Sequence, residues 1–124
     1  MNKKRPVNLK LTSVKFPLTA YTSILHRISG FFLLFFIAFF LYALRQSLED
    51  AETFNALKSN LQTPWIKFVA WILLSTLAYH FIAGVKHLIA DMGFAEEKDS
   101  GKTAAAIVLI LTVIAVILLG VWIW

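Results

Sequence analysis

Three long apolar runs constrain the fold of this sequence more than any other feature. They lie at about residues 23–48, 64–90 and 103–124, and each reaches the roughly 20 residues that an α-helix needs to cross a bilayer. Of the 124 residues, 59% are hydrophobic, and the mean hydropathy of +0.73 excludes the ordinary soluble classes. The sequence therefore predicts an all-α integral membrane protein, with an N-terminal segment at 1–22 and a three-span membrane domain at 23–124. Because so small a bundle cannot enclose a solute pathway, we expect its three transmembrane helices to pack into a multi-subunit helical bundle.

The charged side chains predict the membrane topology. The net charge is +5, and the basic residues concentrate in an N-terminal arm and in the loop between the second and third runs. Positive side chains favour the cytoplasmic side of a bilayer, so we expect residues 1–22 and the 91–102 loop in the cytoplasm and the C-terminus in the periplasm. The basicity therefore indicates topology and not a nucleic-acid partner. The basic residues of these two segments are Lys3, Lys4, Arg5, Lys10, Lys15, Lys98 and Lys102.

The segments that flank the apolar runs carry their own signals. The first run is longer than the roughly 7–15 apolar residues of a cleavable signal peptide, so we expect the arm before it to be retained, against either lipid headgroups or a soluble partner. Residues 49–63 are predicted to form a polar loop. Pro64 suits the first turn of the second helix, where its missing N–H is not needed, and Gly93 suits a left-handed residue at the end of that helix.

Cysteine is absent from the sequence. Disulfides, thiolate-ligated clusters and covalently attached haem are therefore excluded. Any metal site must use histidine, of which there are three.

One histidine lies deep inside the second apolar run. His80 follows a stretch without charge at 68–79 and precedes another at 81–85, and an ionisable side chain at such depth normally faces a partner and marks a functional site. Gly84, one turn further on, leaves room for a flat group. We therefore interpret His80 as a haem-iron ligand, whereas the alternative is a histidine that only hydrogen-bonds to a neighbouring helix. At helical spacing, the polar or small stripe around it consists of Thr76, His80, Ala83, Gly84, His87 and Asp91.

The start of the first run, SILHRISG at 23–30, carries polar groups on its first two turns. Because the second run crosses the membrane in the opposite direction, its end returns to the same surface, with His80 about 10 Å deeper than His87. A haem at His80 could then direct its propionates toward the cytoplasm. One helix face in this segment carries Ser23, Arg27 and Gly30, and another carries His26 with Thr22, Ser29 and Gly30.

Each of these polar residues also has a simpler interpretation. Arg27 is equally well explained as a cation that extends toward the headgroups. Ser23 could cap the first helix, and His87 could be an interfacial side chain. The agreement of several positions at two matching depths favours the haem interpretation over any one residue taken alone.

Three segments resemble the cytochrome b556 membrane-anchor subunits of bacterial succinate dehydrogenase. They are RPVNL at 5–9, FPLTAYTSILHRISG at 16–30 and LAYHFIAGVKHLIADMG at 77–93. The resemblance extends over the whole chain in length and in the number and order of spans. It is specific in SILHRISG and AYHFIAGVKH and weak in the remaining apolar runs.

The resemblance implies a role for each polar residue of the two motifs. It implies that His80 is an axial ligand of one haem b, that Ser23 and Arg27 help to bind ubiquinone, and that His26, Arg27 and His87 lie around the haem propionates. It also implies partners: a second hydrophobic anchor that supplies the other axial histidine, an iron–sulfur subunit and a flavoprotein subunit, at the inner membrane of a bacterium and in contact with its lipid.

The expected function is therefore that of a haem-binding anchor subunit that helps to pass electrons from the iron–sulfur subunit to ubiquinone. The chain is not expected to oxidise succinate by itself, since it has no Gly-rich phosphate loop and no cluster-binding cysteine. Two alternatives remain at this point. One is a haem-free structural anchor, and the other is the anchor of a fumarate reductase that uses menaquinol.

Overall fold

The computed structural model describes residues 16–94 and 97–124, and this part of the chain is all-α without strands. Three of its helices are long and apolar enough to cross a membrane, which confirms the predicted fold class. Most of the predicted N-terminal segment, and the RPVNL motif within it, lie outside the described residues. The helices are α1 (Leu18–Glu49), α2 (Ala51–Leu61), α3 (Pro64–Asp91) and α4 (Lys98–Ile123).

The helices α1 and α4 extend beyond the apolar runs that predicted them. Helix α1 begins at Leu18, directly after the extended residue Pro17, so residues 18–22 belong to the helix and not to a separate N-terminal segment. Helix α4 begins at Lys98, ahead of the predicted start at 103. Backbone hydrogen bonding does not stop where hydrophobicity stops, so an apolar run locates the membrane-crossing part of a helix better than its ends.

The early start of α1 removes one interpretation of Ser23. A capping side chain must lie at the residue before the first helical turn, where it accepts from free backbone N–H groups. Ser23 lies more than one turn inside α1. The hypothesis that it caps the helix is therefore wrong.

The predicted polar loop at 49–63 contains an 11-residue helix, α2. The Asp50 carboxylate accepts a hydrogen bond from the Thr53 backbone N–H at 2.7 Å, and the Thr53 hydroxyl accepts from the Asp50 N–H at 3.2 Å. This reciprocal capping box satisfies two donors at the helix start, and the backbone hydrogen bond from Thr53 lowers the pKa of Asp50. The loop prediction was wrong because it weighed polarity and missed this local capping signal.

The three long helices form a small bundle in which α3 packs against both α1 and α4, and α1 also contacts α4. The side chains that are fully buried are few and mostly small, with Ala83 of α3 and Ala105 of α4 at 1% and 0% exposure. Small residues let helix backbones approach closely in membranes. The Trp71 indole N–H donates to the Val116 carbonyl at 2.9 Å and links α3 to α4.

The outer surface of the bundle is strongly apolar. Large side chains such as Phe35, Leu118 and Val121 are 61–76% exposed, an arrangement that water would penalise and that lipid or a protein partner accommodates. The protein is therefore a multi-pass membrane protein. Pro64 is the first residue of α3 and Gly93 has a φ of 89° at its end, which confirms both boundary predictions for this helix.

Candidate functional site

Helices α1 and α3 bring the three histidines of the chain together. The ring of His26 on α1 stacks on the ring of His80 on α3, with centroids 4.2 Å apart and planes 17° from parallel. The His26 ring also lies 5.1 Å from the ring of His87. The sequence placed His26 and His87 at one depth and His80 deeper, and the structure joins all three into one continuous cluster.

His80 is half-buried and is held by the backbone and a side chain of α1. Its Nδ1 lies 2.9 Å from the Ser29 hydroxyl oxygen and 3.2 Å from the His26 carbonyl oxygen. A carbonyl oxygen can only accept a hydrogen bond, so Nδ1 must carry the proton. In a neutral imidazole the lone pair is then on Nε2, the tautomer in which a histidine ligates a metal through Nε2.

Two glycines allow the histidine rings to approach the opposite helix. A Cβ at Gly30 would lie 2.9 Å from Cε1 of His80, closer than real Cβ contacts allow, so only glycine lets His80 reach the α1 backbone. A Cβ at Gly84 would lie 3.4 Å from Nε2 of His26. The flat group for which Gly84 leaves room is, within this chain, the His26 imidazole.

A second link between the helices lies one turn away from the cluster. The Tyr79 hydroxyl donates to the Thr22 carbonyl at 2.7 Å, and Thr22 itself is buried. Sequence reasoning had placed Thr22, Ser29 and Gly30 on the face of His26 but had assigned a role only to His26. Two features of the sequence indicate a role for Thr22, Ser29 and Gly30 as well. They share one helix face with His26, and small and hydroxyl side chains are unusually frequent on that face.

Ser23 and Arg27 lie one turn apart on α1, and in the sequence they lie on either side of His26. Ser23 is half-buried and Arg27 is exposed. Within 16–94 and 97–124, no hydrogen bond joins either side chain to the three histidines. Arg27 nevertheless lies near enough to His87 for the two side chains to interact electrostatically.

The donor set indicates what kind of metal group the site could hold. Among the described residues, no three His, Cys, Asp or Glu side chains come together as ligands of a bare ion. His80 offers a single Nε2, which suffices for a haem iron because an axial histidine is all that a protein chain must supply on one face of it. His26 adds a buried Nε2 without a hydrogen-bond partner in the described part of the chain, as expected for a group that awaits a polar partner. The residues present therefore fit a haem.

Known proteins are similar to this chain over nearly its whole length. Residues 1–119 match the family described as succinate dehydrogenase/fumarate reductase transmembrane subunit. The succinate dehydrogenase cytochrome b556 subunit of Coxiella burnetii is 45% identical, with 100% of both chains covered. The protein of the same name from Paracoccus denitrificans is 31% identical over 95% of this chain and 92% of its own length.

A third relative has a related name. The succinate dehydrogenase cytochrome b560 subunit of Reclinomonas americana is 32% identical over 81% of this chain and 73% of its own length. Together with the three spans and the paired α1–α3 site, these similarities show that the chain belongs to the family of succinate dehydrogenase/fumarate reductase transmembrane subunits.

Proposed function

We propose that this chain is the haem b-binding anchor subunit of a succinate:ubiquinone oxidoreductase and helps to pass electrons from an iron–sulfur subunit to ubiquinone. The observation that supports the proposal most is the state of His80, whose Nδ1 is hydrogen-bonded to α1 so that Nε2 keeps its lone pair. A histidine that only links helices could make the same Nδ1 contacts, so the support comes from this tautomer together with the depth of His80 in the second apolar run and the match of residues 1–119 to the family.

The haem side of the proposed site is built from His80, His26, Arg27 and His87. His80 would hold the haem iron through Nε2, together with a histidine from a second hydrophobic anchor subunit. A haem held there supplies one-electron redox chemistry. The proposed propionate region is lined by His26, by the adjacent ring of His87 and by the cationic Arg27, which supplies positive charge for the propionates.

The quinone side of the proposed site is built from Ser23 and Arg27. The Ser23 hydroxyl can donate to a quinone carbonyl. The Arg27 guanidinium stabilises the negative charge that develops on the ring oxygens during reduction. Both residues belong to the surface of α1, so the remaining walls of the pocket come from the iron–sulfur subunit and the second anchor.

The proposed assembly contains a flavoprotein subunit, an iron–sulfur subunit and the second anchor. It lies in the cytoplasmic (inner) membrane of a bacterium, with the N-terminus of this chain in the cytoplasm and its C-terminus in the periplasm. The basic residues Lys98 and Lys102 at the start of α4 support this orientation by the positive-inside rule.

The proposal is tested by purifying the complex and comparing two activities in Arg27→Ala. Quinone reduction should fall more than succinate oxidation by a soluble artificial acceptor, because only the first reaction needs the membrane site. The matched control is Arg45→Ala, which removes the same residue type at the other end of α1, where Arg45 lies 3.9 Å from Glu49. This control should leave both activities unchanged.

Three outcomes would count against the proposal. Equal loss of both activities in Arg27→Ala would indicate failed assembly and not a quinone site. Unchanged quinone reduction in a complex with normal flavin content would contradict the role of Arg27. A wild-type complex without a reduced-minus-oxidised b-type spectrum would favour a structural anchor without haem.

A further inference from the structure

Ser29 connects the backbone of α1 to the imidazole of His80. Its hydroxyl donates to the His26 carbonyl at 2.7 Å, and the same oxygen lies 2.9 Å from Nδ1 of His80. Since a serine has one O–H, which is used toward the carbonyl, the oxygen must accept from the Nδ1–H. Ser29 is only 6% exposed, so water does not compete for this hydrogen bond.

We propose that Ser29 is a positioning residue that fixes the orientation and tautomer of His80 and sets the electron-donating strength of its Nε2. This inference rests on the proposed function, in which Nε2 of His80 ligates a haem iron. Ser29 touches neither the iron nor a substrate and acts only through His80.

Of the two oxygens that contact Nδ1 of His80, the Ser29 hydroxyl oxygen is the stronger acceptor by its geometry. The Ser29 oxygen is closer to Nδ1 than the His26 carbonyl oxygen is, at 2.9 Å against 3.2 Å. The His26 carbonyl oxygen also accepts a hydrogen bond from the Ser29 hydroxyl, so this oxygen is shared between two donors, the hydroxyl and the Nδ1–H of His80. A hydrogen bond at 2.9 Å is of ordinary strength for an N–H donor and an oxygen acceptor, whereas 3.2 Å lies at the long end of the range.

The chemical consequence follows from the charge on the ring. A partner that accepts from Nδ1–H draws the proton toward itself and raises the basicity of the other nitrogen. A more basic axial ligand stabilises the ferric state and lowers the reduction potential of the iron. Loss of the Ser29 hydroxyl should therefore shift the potential of the b haem to more positive values.

The test is a potentiometric titration of the b haem in the purified complex, with haem content normalised to flavin. Ser29→Ala removes the acceptor. Ser29→Thr retains a hydroxyl that can still bond to a carbonyl one turn back. The matched control is Ser47→Ala, because Ser47 makes the same type of hydrogen bond on α1, to the Leu44 carbonyl at 2.7 Å, but this bond is exposed and lies 18 residues along α1 from Ser29.

The expected result is a positive shift of the potential in Ser29→Ala and wild-type values in Ser29→Thr and Ser47→Ala. Loss of haem from an assembled Ser29→Ala complex, with haem retained in Ser29→Thr, would also support the role, since only the hydroxyl distinguishes the two.

Other results would overturn the role of Ser29. A Ser29→Ala complex with the wild-type potential would show that the hydroxyl does not tune His80. An equal shift or an equal loss of haem in the alanine and threonine variants would show that packing alone matters. A wild-type complex without a b-type spectrum would instead contradict the proposed haem-binding function. Failure of the Ser29 role and failure of the proposed function therefore give different results.

Discussion

At the scale of single residues, the site depends on how each imidazole nitrogen is satisfied. Nδ1 of His80 is hydrogen-bonded to α1, whereas Nε2 of His26 is buried and finds no partner in the described part of the chain. A buried polar atom without a partner costs about 1–3 kcal/mol. Nε2 of His26 therefore contributes an energetic cost that the ring contacts with His80 and His87 must offset.

Ser23 provides a residue-scale prediction, because its position inside α1 removes the capping role. Ser23→Ala should slow quinone reduction by about fivefold, which corresponds to about 1 kcal/mol for one neutral hydrogen bond. The stability of helix α1 should not decrease, since alanine has a higher helix propensity than serine. The measurements are the quinone reductase rate and the haem-to-flavin ratio, and the ratio should stay at the wild-type value. Wild-type quinone kinetics in the assembled variant would show that Ser23 does not bind quinone.

At the scale of elements, the close contact between α1 and α3 depends on two glycines that face histidine rings. Three of the glycines within helices give a graded series of contacts for an added methyl group, at 2.9 Å for Gly30, 3.4 Å for Gly84 and 3.5 Å for Gly120. The neighbours at these three positions are His80, His26 and Trp71 respectively. Only the methyl group at Gly30 would press on His80. Comparison of the three alanine variants therefore distinguishes a displacement of His80 from a general loss of helix packing.

Substitution of these glycines by alanine should disturb the haem spectrum in the order of the contacts. Gly30→Ala should lower haem content strongly because the methyl group displaces His80. Gly84→Ala should have a smaller effect, and Gly120→Ala is the control with ordinary van der Waals contact. Alanine favours a helix interior by about 1 kcal/mol over glycine, so the change of propensity cannot explain a loss. An effect of Gly120→Ala as large as that of Gly30→Ala would contradict the proposed geometry.

The capping box of α2 gives a prediction that is independent of the haem site. Asp50→Ala should speed hydrogen exchange of the amides within Ala51–Leu61, because the Thr53 N–H loses its acceptor. The lowered pKa of Asp50 means that the folded cap favours the carboxylate. Its contribution is complete above the unfolded value of 3.8 and is lost as the pH falls through the lower folded pKa. Unchanged exchange in the variant would show that α2 does not depend on this cap.

Hydrophobicity and spacing predicted the three spans. The predicted face of His26, with Thr22, Ser29 and Gly30, is the one that α1 turns toward α3. The start of α1 and the existence of α2 were not predicted, because they depend on local hydrogen bonds such as that between Asp50 and Thr53. The contact of Ser29 with His80 joins residues 51 positions apart, so it depends on the crossing of two helices. A periodic pattern within one helix contains no information about that crossing.

At the scale of the whole molecule, the proposed haem site needs a second protein chain. In this proposal the chain offers one ligating nitrogen, and its long helices expose large apolar side chains along their length. The chain expressed alone in detergent should therefore not yield a low-spin haem with two axial histidines, whereas co-expression with the second anchor subunit should. The absorption spectrum of the two preparations distinguishes them, and a low-spin b-type spectrum from the chain alone would contradict the shared site.

The most direct test of the central claim is the reduced-minus-oxidised spectrum of the purified complex carrying His80→Leu, normalised to flavin content. We expect the b-type bands to be lost or strongly altered. The comparison variant His87→Leu, on the same helix, should retain a low-spin b-type spectrum, since His87 is proposed to lie near the propionates, beside His26, and not to ligate the iron. An assembled His80→Leu complex with an unchanged b-type spectrum would contradict the assignment of His80 as the axial ligand.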